Sequence, residues 1–267
     1  MLLVMLLSSR WLTPPRLVQE DVAQRSSVVQ LPQFLSGNDI EHLLAAGKLV
    51  RRDLERAGDV GLHDLAYRQS SPEQTWTTVF LNHRLADLLP ELHARLFAAA
   101  REVDARQGWS LLDADRHSLN FRVAELHSVQ PGGGLRQQTH FDHGSLLTLD
   151  LMLSEPGVDF DGGELQTLES DNSVLTHRFE RGDLVLFHSH KYHSVTPVTR
   201  GTRRVCVLEI WEGLPRRCPR RCTDPWGPCT CQFASKPPVY RPREGSENFV
   251  PASMLSLLRE AHRADPV

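Results

Sequence analysis

Between residues 117 and 212 the chain passes through a succession of short runs rich in β-branched, aromatic and leucine residues: SLNFRVAELHSV, SLLTLDLML, GGELQTL, SVLTHRF, DLVLF and RRVCVLEIW. Each run ends at a turn signal, among them PGGGL, PGVDFDGG and ERGD. Strands spaced every 8–12 residues or so are the signature of a β-sandwich or barrel. Gly162 and Gly163 precede one run and Gly182 with Asp183 another, as tight turns require. No repeat of about 20–50 residues is present, which excludes solenoids and propellers.

The stretch ahead of this β-region is helical in pattern. Ile40, Leu43, Leu44, Val50 and Leu54 predict a helix over 38–56, started by Ser36 or by Asn38 with Glu41 three residues on. TWTTVFL, residues 75–81, predicts a strand. Pro90 suits a first helical turn, and Leu92, Leu96, Phe97, Ala100 and Val103 continue that helix to Gly108. The class is α+β, in four parts: a loosely ordered lead-in at 1–30, a helical support region at 31–116, the β-core at 117–212, and a Cys, Arg and Pro-rich tail at 213–267. Met254, Leu255, Leu257, Leu258 and Ala261 predict a short C-terminal helix in the tail.

Composition narrows the partners. A net charge of -3 and dispersed arginines, clustered only at Arg216, Arg217, Arg220 and Arg221, argue against a nucleic-acid partner. A crossing helix needs roughly 18–20 apolar residues, and no stretch approaches that length. The opening MLLVMLL breaks at Ser8, Ser9 and Arg10 and has no basic flank, so a cytoplasmic location is favoured over a secretory one. Cys206 stands alone in an apolar run. Cys218, Cys222, Cys229 and Cys231 suit a structural zinc knot in a reducing compartment or two disulfides in an oxidising one, and the spacing does not choose. In either form they staple the tail.

THFDHGS places His140 and Asp142 two apart at a strand entry, where i and i+2 point to the same side. His193, in SHKYHSVTPV, can complete a two-histidine, one-carboxylate set from a neighbouring strand, the arrangement that holds Fe(II) by one face and leaves positions open for oxygen chemistry. A lone H-x-D is expected by chance in a chain with 13 histidines. The ordered set carries the weight: H-x-D, then GGEL, then RGD before an apolar strand, then H-x-V-x-P-V-T-x-G-x-R.

On these motifs the chain resembles the Fe(II)- and 2-oxoglutarate-dependent dioxygenases of the prolyl 4-hydroxylase type, strongly over about 118–211 and more loosely in FLSGNDIEHLL. The resemblance implies a double-stranded β-helix, or jelly roll, with supporting N-terminal helices. By matching position it implies His140, Asp142 and His193 as iron ligands and Arg203 as the residue pairing the distal carboxylate of 2-oxoglutarate. Many relatives carry Lys there. Arg200 and Arg204 compete for the role, but Arg200 precedes the Gly201 turn and Arg204 should face away. The implied co-substrates are 2-oxoglutarate and O2, with ascorbate a candidate accessory reductant. The implied reaction hydroxylates a C–H bond of a protein side chain, a prolyl ring among them, or of a small molecule.

The chain departs from the family where a Y-x-x-G-x-x-Y pattern usually precedes H-x-D: LHSVQPGGGLRQQTH has no tyrosine. His188 and His190 are expected to support or flank the site, His143 to touch substrate, and Tyr192 and Trp211 to pack. The competing reading is a jelly-roll binding or regulatory protein without turnover.

Overall fold

The computed structural model describes residues 20–56, 75–113 and 119–213. The four tail cysteines and the expected C-terminal helix lie outside them. In chain order the elements are α1 (Glu20–Arg25), β1 (Val29–Leu31), α2 (Gly37–Arg56), β2 (Trp76–Phe80), α3 (Arg84–Leu88), α4 (Pro90–Gln107), β3 (Leu119–Val129), β4 (Leu135–His140), β5 (Leu147–Met152), β6 (Phe160–Gly162), β7 (Leu165–Leu168), β8 (Val174–His177), β9 (Leu184–His188), β10 (His193–Val195), β11 (Val198–Gly201) and β12 (Arg203–Glu212).

Two of the helices form where periodicity places them. Ser36 starts α2: Asp39 N–H donates to the Ser36 hydroxyl at 3.1 Å, and the Ser36 N–H donates back to the Asp39 carboxylate at 2.8 Å. That is a reciprocal capping box three residues apart, with Asp39 rather than Glu41 as the returning partner. Pro90 opens α4, and Gly108, at φ 65°, closes it in the left-handed conformation.

The lead-in needs correction. Residues expected to be loosely ordered contain α1 and β1, and β1 pairs antiparallel with β9 in the register Val29↔Leu186. A six-residue helix and a three-residue strand carry too little periodicity to read, because distant partners stabilise them. Asp183 supplies some of that support, accepting hydrogen bonds from the Gln33 N–H at 2.8 Å and the Gln30 side chain at 2.7 Å.

The strands build a double-stranded β-helix. Its larger sheet has the order β1-β9-β5-β12-β3-β2, its smaller sheet β4-β10-β7-β8, and β6 pairs with β11 in a ribbon. The central strands of the larger sheet read as almost continuous apolar runs because both of their faces are buried. Outward from β5, β9 and β12, Leu147, Leu149, Leu151, Leu184, Leu186, Cys206 and Leu208 pack against Ile40 and Leu43 of α2 and Leu96 of α4. Inward, Met152, Val185, Phe187 and Val205 meet Leu165 of the smaller sheet. Cys206 is fully buried in the outer layer, where burial pushes its thiol up, so it packs and does not react. Among the described residues no helix is long and apolar enough to cross a membrane.

His188 alternates to the outer face, opposite Phe187. It is 1% exposed, with neither ring nitrogen hydrogen-bonded, and its ring meets Trp109 edge-on at 4.8 Å. Burial pulls its pKa from 6.5 to about 4. Between those values the unfolded chain binds the proton that the folded chain refuses, so stability falls as pH drops through that window. Urea unfolding at about pH 7 and pH 5 should therefore show a smaller acid loss in His188→Leu than in wild type; equal losses would contradict this assignment.

Candidate active site

β4 and β10 are neighbours in the smaller sheet, and the register sets His140 directly opposite His193. Their rings meet edge to face at 5.0 Å. Asp142 joins them differently from the expected strand alternation. His140 is the last residue of β4, and Asp142 lies beyond the strand in the turn to β5, held there by its N–H donating to Ser189 O at 2.7 Å. The carboxylate reaches both rings: Oδ1 is 3.4 Å from His140 Nε2 and Oδ2 is 3.8 Å from His193 Nε2. All three donor atoms lie within 4.8 Å of one another, close enough to share one metal ion with modest side-chain closure.

The surroundings orient the set. Lys191 O can only accept, so the 2.9 Å contact from His193 Nδ1 places the proton on Nδ1 and turns the Nε2 lone pair to the cluster. Thr148 Oγ1 donates to Asp142 Oδ2 at 2.6 Å, and with that proton used, Ser189 must donate to Thr148 across 2.8 Å. The loop carrying Lys191 is itself braced by α1. The Gln24 side chain donates to His190 O and accepts from the Tyr192 N–H, both at 2.9 Å, while Lys191 Nζ donates to Gln24 O and to Glu169, both at 2.8 Å.

From this cluster a cavity of about 70 Å³ runs between the sheets to Arg203. Leu135, Leu165, Phe187, Val195, Val205 and Val207 form apolar wall, broken by Glu125, His127, Thr148 and Asp150. Arg203 is 3% exposed, and its aliphatic stem passes under Gly163, where a Cβ would come within 2.7 Å of Arg203 Cδ. Gly163, at φ 64°, is thus a position where both conformation and space call for glycine. The Arg203 Nε and Nη2 atoms are buried and make no hydrogen bond, and Nη2 lies 3.6 Å from Asp150 Oδ2. A side-on pair of guanidinium N–H groups left open in this way matches a carboxylate bidentately.

Comparison with known proteins agrees with this geometry. Residues 121–211 match the profile of the 2OG-Fe(II) oxygenase superfamily. That match runs from β3 into β12. A PKHD-type hydroxylase of Cupriavidus metallidurans is 40% identical over 82 residues, covering 29% of this chain and 34% of that protein. The match therefore spans about a third of that relative's length. Another, from Paraburkholderia phytofirmans, is 29% identical over 175 residues, covering 58% of this chain and 69% of that one. A crystal structure of a Pseudomonas putida prolyl-4-hydroxylase aligns with TM-score 0.47 at 19% identity, over 72% of this chain and 96% of that one.

Within the β-core, the residues singled out from sequence fall into two groups. His140, Asp142, His193 and Arg203 line one cavity. Arg200 and Arg204 do not: Arg200 pairs with Asp161 at the surface, and Arg204 is exposed. His143 is exposed and stacks at 6.4 Å on His190, outside the cavity lining. His188 faces the helical layer and Trp211 is fully buried.

Sequence reasoning passed over Thr148, Asp150, Glu125 and His127. Trp76 Nε1 donates to His127 Nδ1 at 3.0 Å, and His127 Nε2 lies 3.2 Å from Glu125. The signal was present: polar Thr148 and Asp150 alternate in an otherwise leucine-rich strand, which marks one face as lining a polar space. Thr148→Val keeps the shape and removes the donor to Asp142. Metal affinity should fall by about 10–100-fold, as for loss of an outer partner of a ligand, with the melting temperature of the metal-free protein little changed. Competitive chelator titration measures it, and unchanged affinity would show that Thr148 does not orient Asp142.

Proposed function

We propose that the chain is an Fe(II)- and 2-oxoglutarate-dependent dioxygenase that hydroxylates an unactivated C–H bond of a protein side chain or small molecule, releasing succinate and CO2. One observation carries the reading. A single cavity is lined both by the His140, Asp142 and His193 donor set and by a buried arginine whose N–H edge is open.

The donor chemistry fits Fe(II): two imidazole nitrogens and one carboxylate on one face leave the opposite positions for ligands. When bound, the metal supplies a chelation site for the keto acid and activates O2. In this reading, Thr148 and Ser189 hold the Asp142 carboxylate at a fixed angle, and Lys191 O keeps His193 in the tautomer that can ligate. Arg203 anchors the distal carboxylate of the co-substrate. The apolar wall around Phe187 and Val205 excludes water, so that charge pairing at Arg203 is strong. No observation on the described residues favours a binding protein without turnover.

The test is an anaerobic titration of 2-oxoglutarate into Fe(II)-loaded protein, watching for the visible charge-transfer band of a chelated keto acid. A saturable band is expected. Well-folded, iron-replete protein with no band would overturn the reading.

A further inference from the structure

Asp150 is the feature of the cavity that iron and co-substrate binding do not explain. It projects inward from β5, is 5% exposed, and leaves Oδ1 buried with no hydrogen-bond partner. Its Oδ2 stands 3.6 Å from Arg203 Nη2, within ion-pair range but too far for a good hydrogen bond. The other charged or titratable groups facing it are few. Arg203 comes from β12, His127 and Glu125 come from β3, and His193 acts from β10 at longer range. β9 presents only Val185 opposite it.

A second carboxylate arriving on the open edge of Arg203 would meet Asp150 at close quarters. One guanidinium cannot neutralise two carboxylates in a small, low-dielectric space. Under such crowding one carboxyl of the pair keeps its proton. The ligand carboxylate has the bidentate edge of Arg203, whereas Asp150 has only the long contact to Nη2, and its Oδ1 accepts no hydrogen bond. Burial already pushes the Asp150 carboxyl up, against the opposing pull of Arg203.

We propose that Asp150 is a further co-substrate-binding residue, holding a proton in the ligand-bound state and donating it in a hydrogen bond to the distal carboxylate seated on Arg203. This rests on the dioxygenase reading. It assigns the pair Arg203 and Asp150 to a dicarboxylate keto acid: the arginine supplies charge, and the protonated aspartate supplies a donor. Because the bound state keeps a proton, affinity falls as pH rises above the point at which free Asp150 ionises, by up to about tenfold per pH unit. A keto acid without the distal carboxylate takes no such hydrogen bond.

The test uses the full chain loaded with Mn(II), which avoids turnover. Infrared difference spectra are taken on adding 2-oxoglutarate at about pH 8, far above the ordinary aspartate value of ~3.9. A protonated-carboxyl stretch is expected in the complex, lost in Asp150→Asn and retained in Glu125→Gln. It should be absent when 2-oxopentanoate, which lacks the distal carboxylate, replaces 2-oxoglutarate. Asp150→Asn keeps a donor in the same place, so its affinity should lie within about threefold of wild type near neutrality and stay flat to higher pH. A complex without the band, a band lost instead in Glu125→Gln, or identical pH profiles in wild type and Asp150→Asn would each overturn the proposal. The wild-type spectrum and pH profile decide it even if Asp150→Asn does not fold. Failure of 2-oxoglutarate to bind the loaded wild type would instead overturn the dioxygenase reading, and this proposal with it; binding without the band overturns this proposal alone.

Discussion

In the His193→Ala variant, stoichiometric Fe(II) binding and 2-oxoglutarate turnover should both be lost while the fold persists. Losing a partner one step removed from a metal ligand already costs about 10–100-fold in affinity, so losing a ligand should cost more than that. The remaining His140 and Asp142 offer two donors, too few to hold the ion by one face against water. Structural damage should be small. His193 gives up one hydrogen bond to Lys191 O, worth about 1 kcal/mol, while β10 keeps its backbone pairing to β4 and β7. Equilibrium dialysis of Fe(II) under anaerobic conditions, with circular dichroism as the control, separates the two effects. Normal iron binding in a folded variant would remove His193 from the ligand set.

Arg203→Ala should leave the metal in place and raise the co-substrate requirement. Truncating one side of a buried, hydrogen-bonded charge pair costs about 2–5 kcal/mol, which corresponds to roughly 30-fold to several thousandfold in KM for 2-oxoglutarate. Iron binding should be unchanged, because Arg203 is not among the three donors. Arg203→Lys should fall between wild type and Arg203→Ala, since it keeps the charge and loses the fork. Saturation curves for 2-oxoglutarate across the three proteins give the order. Co-substrate affinity unchanged in Arg203→Ala would assign the anchor elsewhere and leave the open N–H edge without a ligand.

Much of this was legible in the chain, and the failures share a cause. The strand runs, α2, α4, and the residues His140, Asp142, His193 and Arg203 are marked by local pattern or by order along the sequence. What escaped was whatever depends on a distant partner. Asp142 reaches the cluster through a turn fixed by Ser189 O, not through strand alternation, and that hydrogen bond joins segments on either side of five strands. The polar wall made by Trp76 and His127 forms only once β2 lies beside β3, and nothing around Trp76 alone reveals it. Asp150 could have been suspected as a polar residue in a leucine-rich strand, but its role depends on Arg203 extending back along the inner face of the sheet to meet it.

The brace that α1 gives to the loop before His193 also sets an order of events. The three hydrogen bonds between Gln24 and residues 190–192 span 166–168 residues. At synthesis rates of about 5–20 residues per second, α1 waits roughly 8–33 s on the ribosome before its partner loop has even been made. Through that interval β1 has no β9 to pair with, and the donor set is missing its third member. A nascent chain cannot hold the metal early, and the centre should be among the last parts of the molecule to assemble, since contacts of such sequence separation form late.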